Sequence, residues 1–188
     1  MKVATIDKTK EWTVDDYLML GEMKTPCQLI NGELIMSPSP TPNHQRISRI
    51  VFSKLFNVAE NEKAGEVFYA PIDLYIDSKN VFQPDIVFIA SKNSRIITER
   101  GIEGTPDLIV EIISPSNVFS DRNRKKRTYQ QIGVQEYWII DPANKTLEIY
   151  HKDQADKDTP LLYLVEEGVI TSTCLPGISF NLKEIFSL

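Results

Sequence analysis

The chain has little cysteine and little histidine. Two cysteines, Cys27 and Cys174, and two histidines occur among 188 residues. The cysteines lie far apart with no CxxC spacing, which argues against a disulfide framework and a zinc knuckle and favours a cytoplasmic protein. Because histidine is scarce and the sequence has no GxSxG motif, a Ser/His/Asp hydrolase is also disfavoured.

Long apolar runs and an excess of positive charge are missing as well. The first residues, MKVATIDKTK, have no apolar core of signal-peptide length. No run approaches the roughly 18 apolar residues that a membrane span requires, so we expect no membrane association. The charge sum is 21 Lys and Arg against 26 Asp and Glu, or −5. A site for a polyanion therefore has to be local, because no global positive field attracts nucleic acid.

The order of predicted elements indicates an α+β (mixed α/β) fold built around one mixed sheet flanked by helices. Thr13 and Asp16 resemble a capping box and predict a helix over about 14–21. Asn31-Gly32 between CQLI and ELIM predicts a hairpin. Apolar residues at three- and four-residue steps after Pro42 predict a helix to about residue 62.

The second half of the chain supplies most of the predicted sheet. Short runs rich in Val, Ile, Phe and Tyr predict strands in EVFYAPIDLYID, VFQPDIVFIA, DLIVEIIS, EYWII, TLEIYHK and LLYLV. Residues 121–132 have helical spacing, and Gly133 is placed to end that helix. Gly101 and Gly104 match no nucleotide-binding fingerprint and are expected in a loop. Length indicates one domain over 1–188, with residues 1–10 as a flexible segment.

Two carboxylates lie in runs that are otherwise apolar. Asp85 interrupts VFQPDIVFIA, and Glu111 is the only charge in LIVEII. Buried carboxylates are costly unless they are paired or bind a metal. If both point the same way from neighbouring strands, they can hold a hard cation such as Mg²⁺. The alternative is that Glu111 belongs to a local hydrogen-bond network or pairs with an arginine.

A basic run follows in DRNRKKRTY, residues 121–129. Five of the six residues 122–127 are Lys or Arg. Asp121, Lys125 and Tyr129 are spaced four apart and form one stripe on a helix, whereas Lys126 points elsewhere. The run is either a patch that binds nucleic acid or a solvated face with an Asp121–Lys125 ion pair worth about 0.3–0.5 kcal/mol.

Several motifs occur in order over nearly the whole chain. They are WTVDDYLML, INGELIMSPSPTPNH, QPDIVFI, TPDLIVEIISPSN, DRNRKKRTYQQIGVQEYWIIDP and LPG. In this order and spacing the sequence resembles the Uma-type restriction endonuclease family of the PD-(D/E)XK nuclease superfamily. The resemblance implies one nuclease-like domain with a restriction-endonuclease-like fold.

The resemblance also implies a catalytic metal site. Asp85 matches the aspartate of the family's Pro-Asp motif and Glu111 the acid of its second motif, so both would bind Mg²⁺ or Mn²⁺. The superfamily expects a lysine two residues after that acid, where this chain has Ile113. The family's lysine on the next helix corresponds to Lys125. Glu33 in INGE matches a further acid and is either a third metal-binding carboxylate or a polar hairpin residue.

The remaining candidates would contact the substrate. His44 follows Pro42 at the start of the predicted helix and is either a partly buried helix residue or, as the resemblance suggests, a substrate contact. Tyr129 is a second substrate-binding candidate. The basic run would supply contacts to the nucleic-acid backbone through Arg122, Arg124, Lys126 and Arg127.

The function expected from these residues is metal-dependent cleavage of DNA. Asp85 and Glu111 would hold Mg²⁺, while Lys125 orients a water and stabilises developing charge. Cutting both strands with one metal site per chain favours a homodimer. Two alternatives stay open: a nuclease-fold protein that binds nucleic acid or a protein without cutting, and a small-molecule enzyme that uses the same carboxylates.

Overall fold

The computed structural model of the protein describes residues 10–21, 26–36, 38–114 and 120–187. Residues 1–9 of the segment expected to be flexible therefore lie outside the described residues. Helix α1 is Val14–Met19, and it begins at the predicted capping box, in which Thr13 and Asp16 exchange hydrogen bonds of 3.0 and 3.2 Å. It ends about two residues earlier than the prediction.

The next elements follow the local sequence signals. Strands β1, Cys27–Ile30, and β2, Glu33–Met36, form the predicted hairpin. Its turn residues Asn31 and Gly32 both have positive φ, as a type I′ turn requires. Helix α2, Pro42–Glu62, has the predicted extent, with Thr41 as its N-cap.

The remaining elements are short strands and helices. Strands in chain order are β3 Gly65–Tyr69, β4 Leu74–Asp77, β5 Asn80–Phe82, β6 Ile86–Ala90, β7 Ile97–Thr98, β8 Gly101–Glu103, β9 Leu108–Ile112, β10 Glu136–Asp141, β11 Thr146–His151, β12 Leu162–Val165, β13 Val169–Thr171 and β14 Ser179–Asn181. A 3₁₀ helix, Ser91–Ile96, separates β6 from β7. A π-helical turn, Ser120–Lys125, runs into α3, Lys126–Gln131, and α4 is Lys183–Phe186.

The strands of the described residues form two six-stranded sheets and a β13–β14 pair, where the sequence led us to expect one sheet. The central sheet has the order β12-β11-β10-β9-β6-β3 and is mixed, because only β9 and β10 are parallel within it. The second has the order β2-β1-β5-β4-β8-β7. Pro71 and Pro84 explain the difference: proline cannot donate to a ladder, so each splits an apolar run into strands of different sheets.

Gly101 belongs to a strand and not to the expected loop. In β8 it begins a segment that pairs parallel with β4, with Leu74 opposite Ile102. A Cβ at Gly101 would lie 2.6 Å from the Asp73 carbonyl oxygen. The glycine therefore permits a close approach of two backbones, which no nucleotide fingerprint requires.

The central sheet separates two apolar clusters. Leu108, Val110 and Ile112 of β9 pack with the buried face of α2. Ile109 and Ile113 point to the opposite side, towards the second sheet and α3. The alternation predicted for this strand is confirmed, and it directs Glu111 to the side of the second sheet and α3. Within the described residues, no helix is long and apolar enough to cross a membrane.

Candidate active site

Strands β6 and β9 bring Asp85 and Glu111 together. The two strands are antiparallel, with Ile86 opposite Val110. One further step in this register places Asp85 opposite Glu111, and directly opposed residues have their side chains on the same face. Both carboxylates line one cavity of about 470 Å³. Strand pairing, and not sequence proximity, therefore assembles the predicted pair.

Backbone and histidine groups hold the Asp85 carboxylate. Its Oδ2 accepts a hydrogen bond of 2.7 Å from the Ile112 amide. The ring Nε2 of His44 lies 3.3 Å from the same oxygen and 3.0 Å from the Ile112 carbonyl oxygen. Burial lowers the pKa of His44, but the hydrogen bond and charge of Asp85 outweigh burial and leave this pKa raised. His44 therefore connects the start of α2 to the end of β9.

Glu111 and Lys125 form a buried ion pair. The Lys125 ammonium donates to Glu111 Oε1 at 2.8 Å, and the Tyr129 hydroxyl donates to the same oxygen at 2.9 Å. Burial raises the pKa of Glu111, whereas the adjacent Lys125 charge acts to lower it. Burial acts to lower the pKa of Lys125, but the charges of Glu111 and Asp121 hold it above its ordinary value. Lys125 is therefore a cation at neutral pH.

Asp121 is a third acid in this cavity. It lies on the π-helical turn, 3.2 Å from Lys125 Nζ. Its Oδ1 is buried and accepts no well-directed hydrogen bond, and His44 Nδ1 is likewise buried with no hydrogen-bond partner among the described residues. Burial raises the pKa of the Asp121 carboxyl, despite Lys125. The four-residue spacing predicts the ion pair of Asp121 with Lys125, but it does not place Asp121 in the cavity with Asp85 and Glu111.

Comparison with known proteins identifies the family. The Uma2 family, described as "Putative restriction endonuclease", matches residues 14–183. This chain belongs to the Uma2 family. An uncharacterized protein of Synechocystis sp. (strain ATCC 27184 / PCC 6803 / Kazusa), sll1609, is 32% identical over 155 residues, which are 81% of this chain and 85% of that protein. The family inferred from the motifs is therefore confirmed.

A solved structure confirms the fold. A protein from Anabaena variabilis ATCC 29413, described as a putative nuclease belonging to DUF820, superposes with a TM-score of 0.77. The match covers 93% of this chain and 97% of the other, at 23% identity. The expected α+β fold class is therefore confirmed for this Uma2 chain, with two six-stranded sheets in place of the single sheet expected.

Two of the predicted site residues of this Uma2 chain are in the wrong place for their roles. Glu33 lies on the exposed hairpin, with 68% of its side chain accessible, and pairs with Arg124 at 3.3 Å. It does not line the cavity, so a third carboxylate from the hairpin is unsupported. Tyr129 is fully buried and donates to Glu111. It therefore positions a carboxylate and cannot contact a substrate.

Arg122 is engaged inside the protein. It forms ion pairs with Asp141, at 3.1 Å, and with Glu148. Both acids are buried on strands β10 and β11. Its charge already compensates two carboxylates of the central sheet, so a contact of Arg122 with a nucleic-acid backbone stays a prediction without structural support.

Lys126 is also turned inward. It is 7% exposed, its ammonium lies 4.0 Å from the centre of the Tyr150 ring, and it pairs with Asp158 at 3.3 Å. Arg127 is exposed. The basic run therefore serves mainly to fasten the π-turn and α3 to the sheet, and it presents less open positive charge than the sequence suggests.

Proposed function

We propose that this protein is a metal-dependent endonuclease that hydrolyses phosphodiester bonds in DNA. The observation that carries the proposal is the meeting of Asp85, Glu111 and Lys125 in one cavity. Two carboxylates beside a permanent cation suit a reaction in which negative charge develops on a phosphate. Membership of a family described as "Putative restriction endonuclease" supports the same reaction.

The donor groups fit a hard divalent cation. Asp85, Glu111 and Asp121 bring three carboxylates to the cavity, against the single lysine charge of Lys125. The buried Asp121 Oδ1 lies 3.2 Å from the Lys125 ammonium but accepts no well-directed hydrogen bond, so its lone pairs are not fully used. Among the described residues no three His, Cys, Asp or Glu side chains converge on one point as metal ligands. A site with fewer than three protein ligands still suits Mg²⁺, because this ion keeps several waters and needs only one or two carboxylates.

Asp85 and Glu111 would hold the Mg²⁺ or Mn²⁺. Bound there, the ion would polarise a phosphate oxygen and lower the pKa of a water. The Ile112 amide and the Tyr129 hydroxyl fix one oxygen of each carboxylate, so both are oriented before a ligand arrives. Lys125, which is charged at neutral pH, would orient the attacking water and stabilise the charge of the transition state.

Cleavage of supercoiled plasmid in the presence of Mg²⁺, Mn²⁺ or EDTA tests the proposal. We expect nicked or linear product with either metal and none with EDTA. Asp85→Asn and Glu111→Gln should lower the rate by about 100-fold or more, since each removes a charge on which the transition state depends. Asp153→Asn, at an exposed carboxylate, is the matched control. Cleavage that survives EDTA or both site variants would contradict a metal-dependent site at Asp85 and Glu111.

A second candidate is a nuclease-fold protein that binds nucleic acid or a protein without cutting. It is favoured by the Glu111–Lys125 pair, which already satisfies one oxygen of Glu111 without a metal. Calorimetric titration with Mg²⁺ or Mn²⁺ separates the two candidates, because only the enzyme requires metal binding. Metal binding without nuclease activity would instead point to a small-molecule substrate.

A further inference from the structure

The first part of α2 is a basic surface on an acidic protein. From Pro42 to Ala59 the helix contains Arg46, Arg49 and Lys54 but no Asp or Glu, although the chain has a net charge of −5. Lys54 pairs with Glu184 at 2.6 Å. Arg46 and Arg49 are exposed one turn apart, so they present positive charge on the same side of the helix.

Aromatic side chains lie next to these arginines. Phe52 stacks on Phe56 with ring centres 5.5 Å apart, and it meets Tyr69 edge to face at 4.8 Å. Tyr69 is the last residue of β3 and is 62% exposed. Phe52 thus braces a tyrosine ring that is mostly open to solvent. We call Arg46, Arg49, Phe52 and Tyr69 the α2 surface.

The α2 surface is continuous with the candidate active site. Its four residues line a groove of about 670 Å³. Gln45, Ser48 and Tyr69 line both this groove and the cavity that contains Asp85 and Glu111. A chain held at the carboxylates can therefore extend onto α2 without crossing the protein.

We infer that the α2 surface binds an unpaired strand of DNA as it leaves the candidate active site, with a base stacked on Tyr69 and phosphates beside Arg46 and Arg49. Two exposed arginines beside one exposed aromatic ring suit a single strand, because unpaired bases present free ring faces and duplex bases do not. This inference rests on the proposed function, in which the phosphate to be cleaved lies at Asp85 and Glu111.

Charge selects this occupant over a second copy of the chain. In a two-fold symmetric contact the same patch faces itself, so Arg46 and Arg49 would approach their own copies. Like charges brought together are unfavourable, whereas phosphates neutralise them. The basic run at 122–127 is a weaker alternative path, since Arg122 and Lys126 are already paired internally.

Fluorescence anisotropy with a labelled oligothymidylate and with a duplex of equal length tests the inference. EDTA is present, so binding is measured without metal or cleavage. We expect the single strand to bind more tightly than the duplex. Tyr69→Ala should weaken single-strand binding by about 5- to 150-fold, the cost of one lost base stack, and Tyr69→Phe should retain it. Replacing Arg46 and Arg49 by alanine should flatten the log–log salt slope by about 1.4.

Matched controls are Tyr163→Ala, at a 56% exposed tyrosine of β12, and Arg95→Ala, at an exposed arginine. Both should bind as the unaltered protein does. The inference is overturned if Tyr69→Ala binds normally, if the controls lose as much affinity, or if the duplex binds more tightly. The inference is also overturned if Tyr69→Ala leaves DNA binding unchanged but alters the oligomeric state measured by analytical ultracentrifugation. That result would make the α2 surface a contact between copies of the chain.

The inference and the proposed function can fail separately. If single-strand binding depends on Tyr69 but neither Mg²⁺ nor Mn²⁺ supports plasmid cleavage, the proposed function alone is contradicted. Plasmid cleavage together with single-strand binding that is indifferent to Tyr69→Ala would contradict the inference alone. Because Tyr69 is largely exposed, circular dichroism should show an unchanged fold in both Tyr69 variants.

Discussion

Lys125 and Lys126 are neighbours in sequence with opposite surroundings. Lys125 is buried between Glu111 and Asp121, whereas Lys126 lies against Tyr150. Successive helical residues differ by about 100°, so only one of the two can face the cavity. The four-residue spacing from Asp121 predicts which one. That Glu111 is its partner depends on the packing of this turn against β9, which the local sequence does not reveal.

In the absence of a bound metal, removal of the Lys125 charge should lower the free energy of unfolding. Lys125→Met leaves Glu111 and Asp121 buried beside each other, so the free energy of unfolding should fall by about 3–5 kcal/mol. Lys126→Met loses a ring contact and an ion pair with a largely exposed partner, and about 1 kcal/mol is expected. Urea unfolding in EDTA measures both values.

The same two variants test a chemical role of Lys125 under conditions in which circular dichroism shows both to be folded. In single-turnover cleavage at saturating DNA, Lys125→Met should be slower by about 10²- to 10³-fold, and Lys126→Met should be close to the unaltered rate. If Lys126→Met loses the rate and Lys125→Met keeps it, the lysine has been assigned to the wrong residue. If both keep the rate, the site does not use a lysine.

The π-helical turn sets the direction of the acidic and basic side chains that meet at Glu111. Irregular helical turns of this kind are common at functional sites. The Tyr137 hydroxyl donates to the Asp121 carbonyl oxygen at 2.9 Å and so anchors the turn to β10. Tyr137→Phe should lower the free energy of unfolding by about 1–3 kcal/mol, because a buried acceptor loses its partner.

Tyr163→Phe is the matched control for this hydrogen bond. Tyr163 is 56% exposed, so loss of its hydroxyl should change the free energy of unfolding by less than about 0.5 kcal/mol. Chemical denaturation of both variants gives the comparison. Equal stability of the Tyr137 and Tyr163 variants would mean that the turn is held by other contacts.

Local signals predicted some elements well and pairing poorly. The Asn31-Gly32 turn and the spacing of apolar residues after Pro42 are properties of adjacent residues, and both elements are present as predicted. The second sheet depends on the contact of Leu29 with Val81, which are far apart in sequence. The ion pairs of Arg122 with acids on β10 and β11 are long-range in the same way, so the basic run alone does not predict them.

Acidic pH should lower the free energy of unfolding, in part because Asp141 becomes protonated. Burial raises the pKa of this carboxyl, but hydrogen bonds from Asn144 and Arg122 outweigh burial and lower it. A lowered folded-state pKa stabilises the protein above the unfolded value of about 3.9, and this contribution is lost as the pH falls through the folded value. The free energy of unfolding should therefore fall more steeply below about pH 4 in the unaltered protein than in Asp141→Asn. Parallel profiles would show that this carboxyl does not contribute.

A divalent cation should stabilise the fold as a whole, because a site made of β6 and β9 exists only when the central sheet is formed. Ligand at 100 times its Kd adds about 2.7 kcal/mol. For a chain of this length, that corresponds to a rise in Tm of roughly 5–10 °C. The measurement is thermal unfolding with Mn²⁺ or Mg²⁺, compared with EDTA and with NaCl of equal ionic strength, since salt also screens the net negative charge. Asp85→Asn should lose the rise because one of the two ligands is gone. A rise of equal size in NaCl or in Asp85→Asn would place the ion elsewhere on the acidic surface and would contradict a metal site at Asp85 and Glu111.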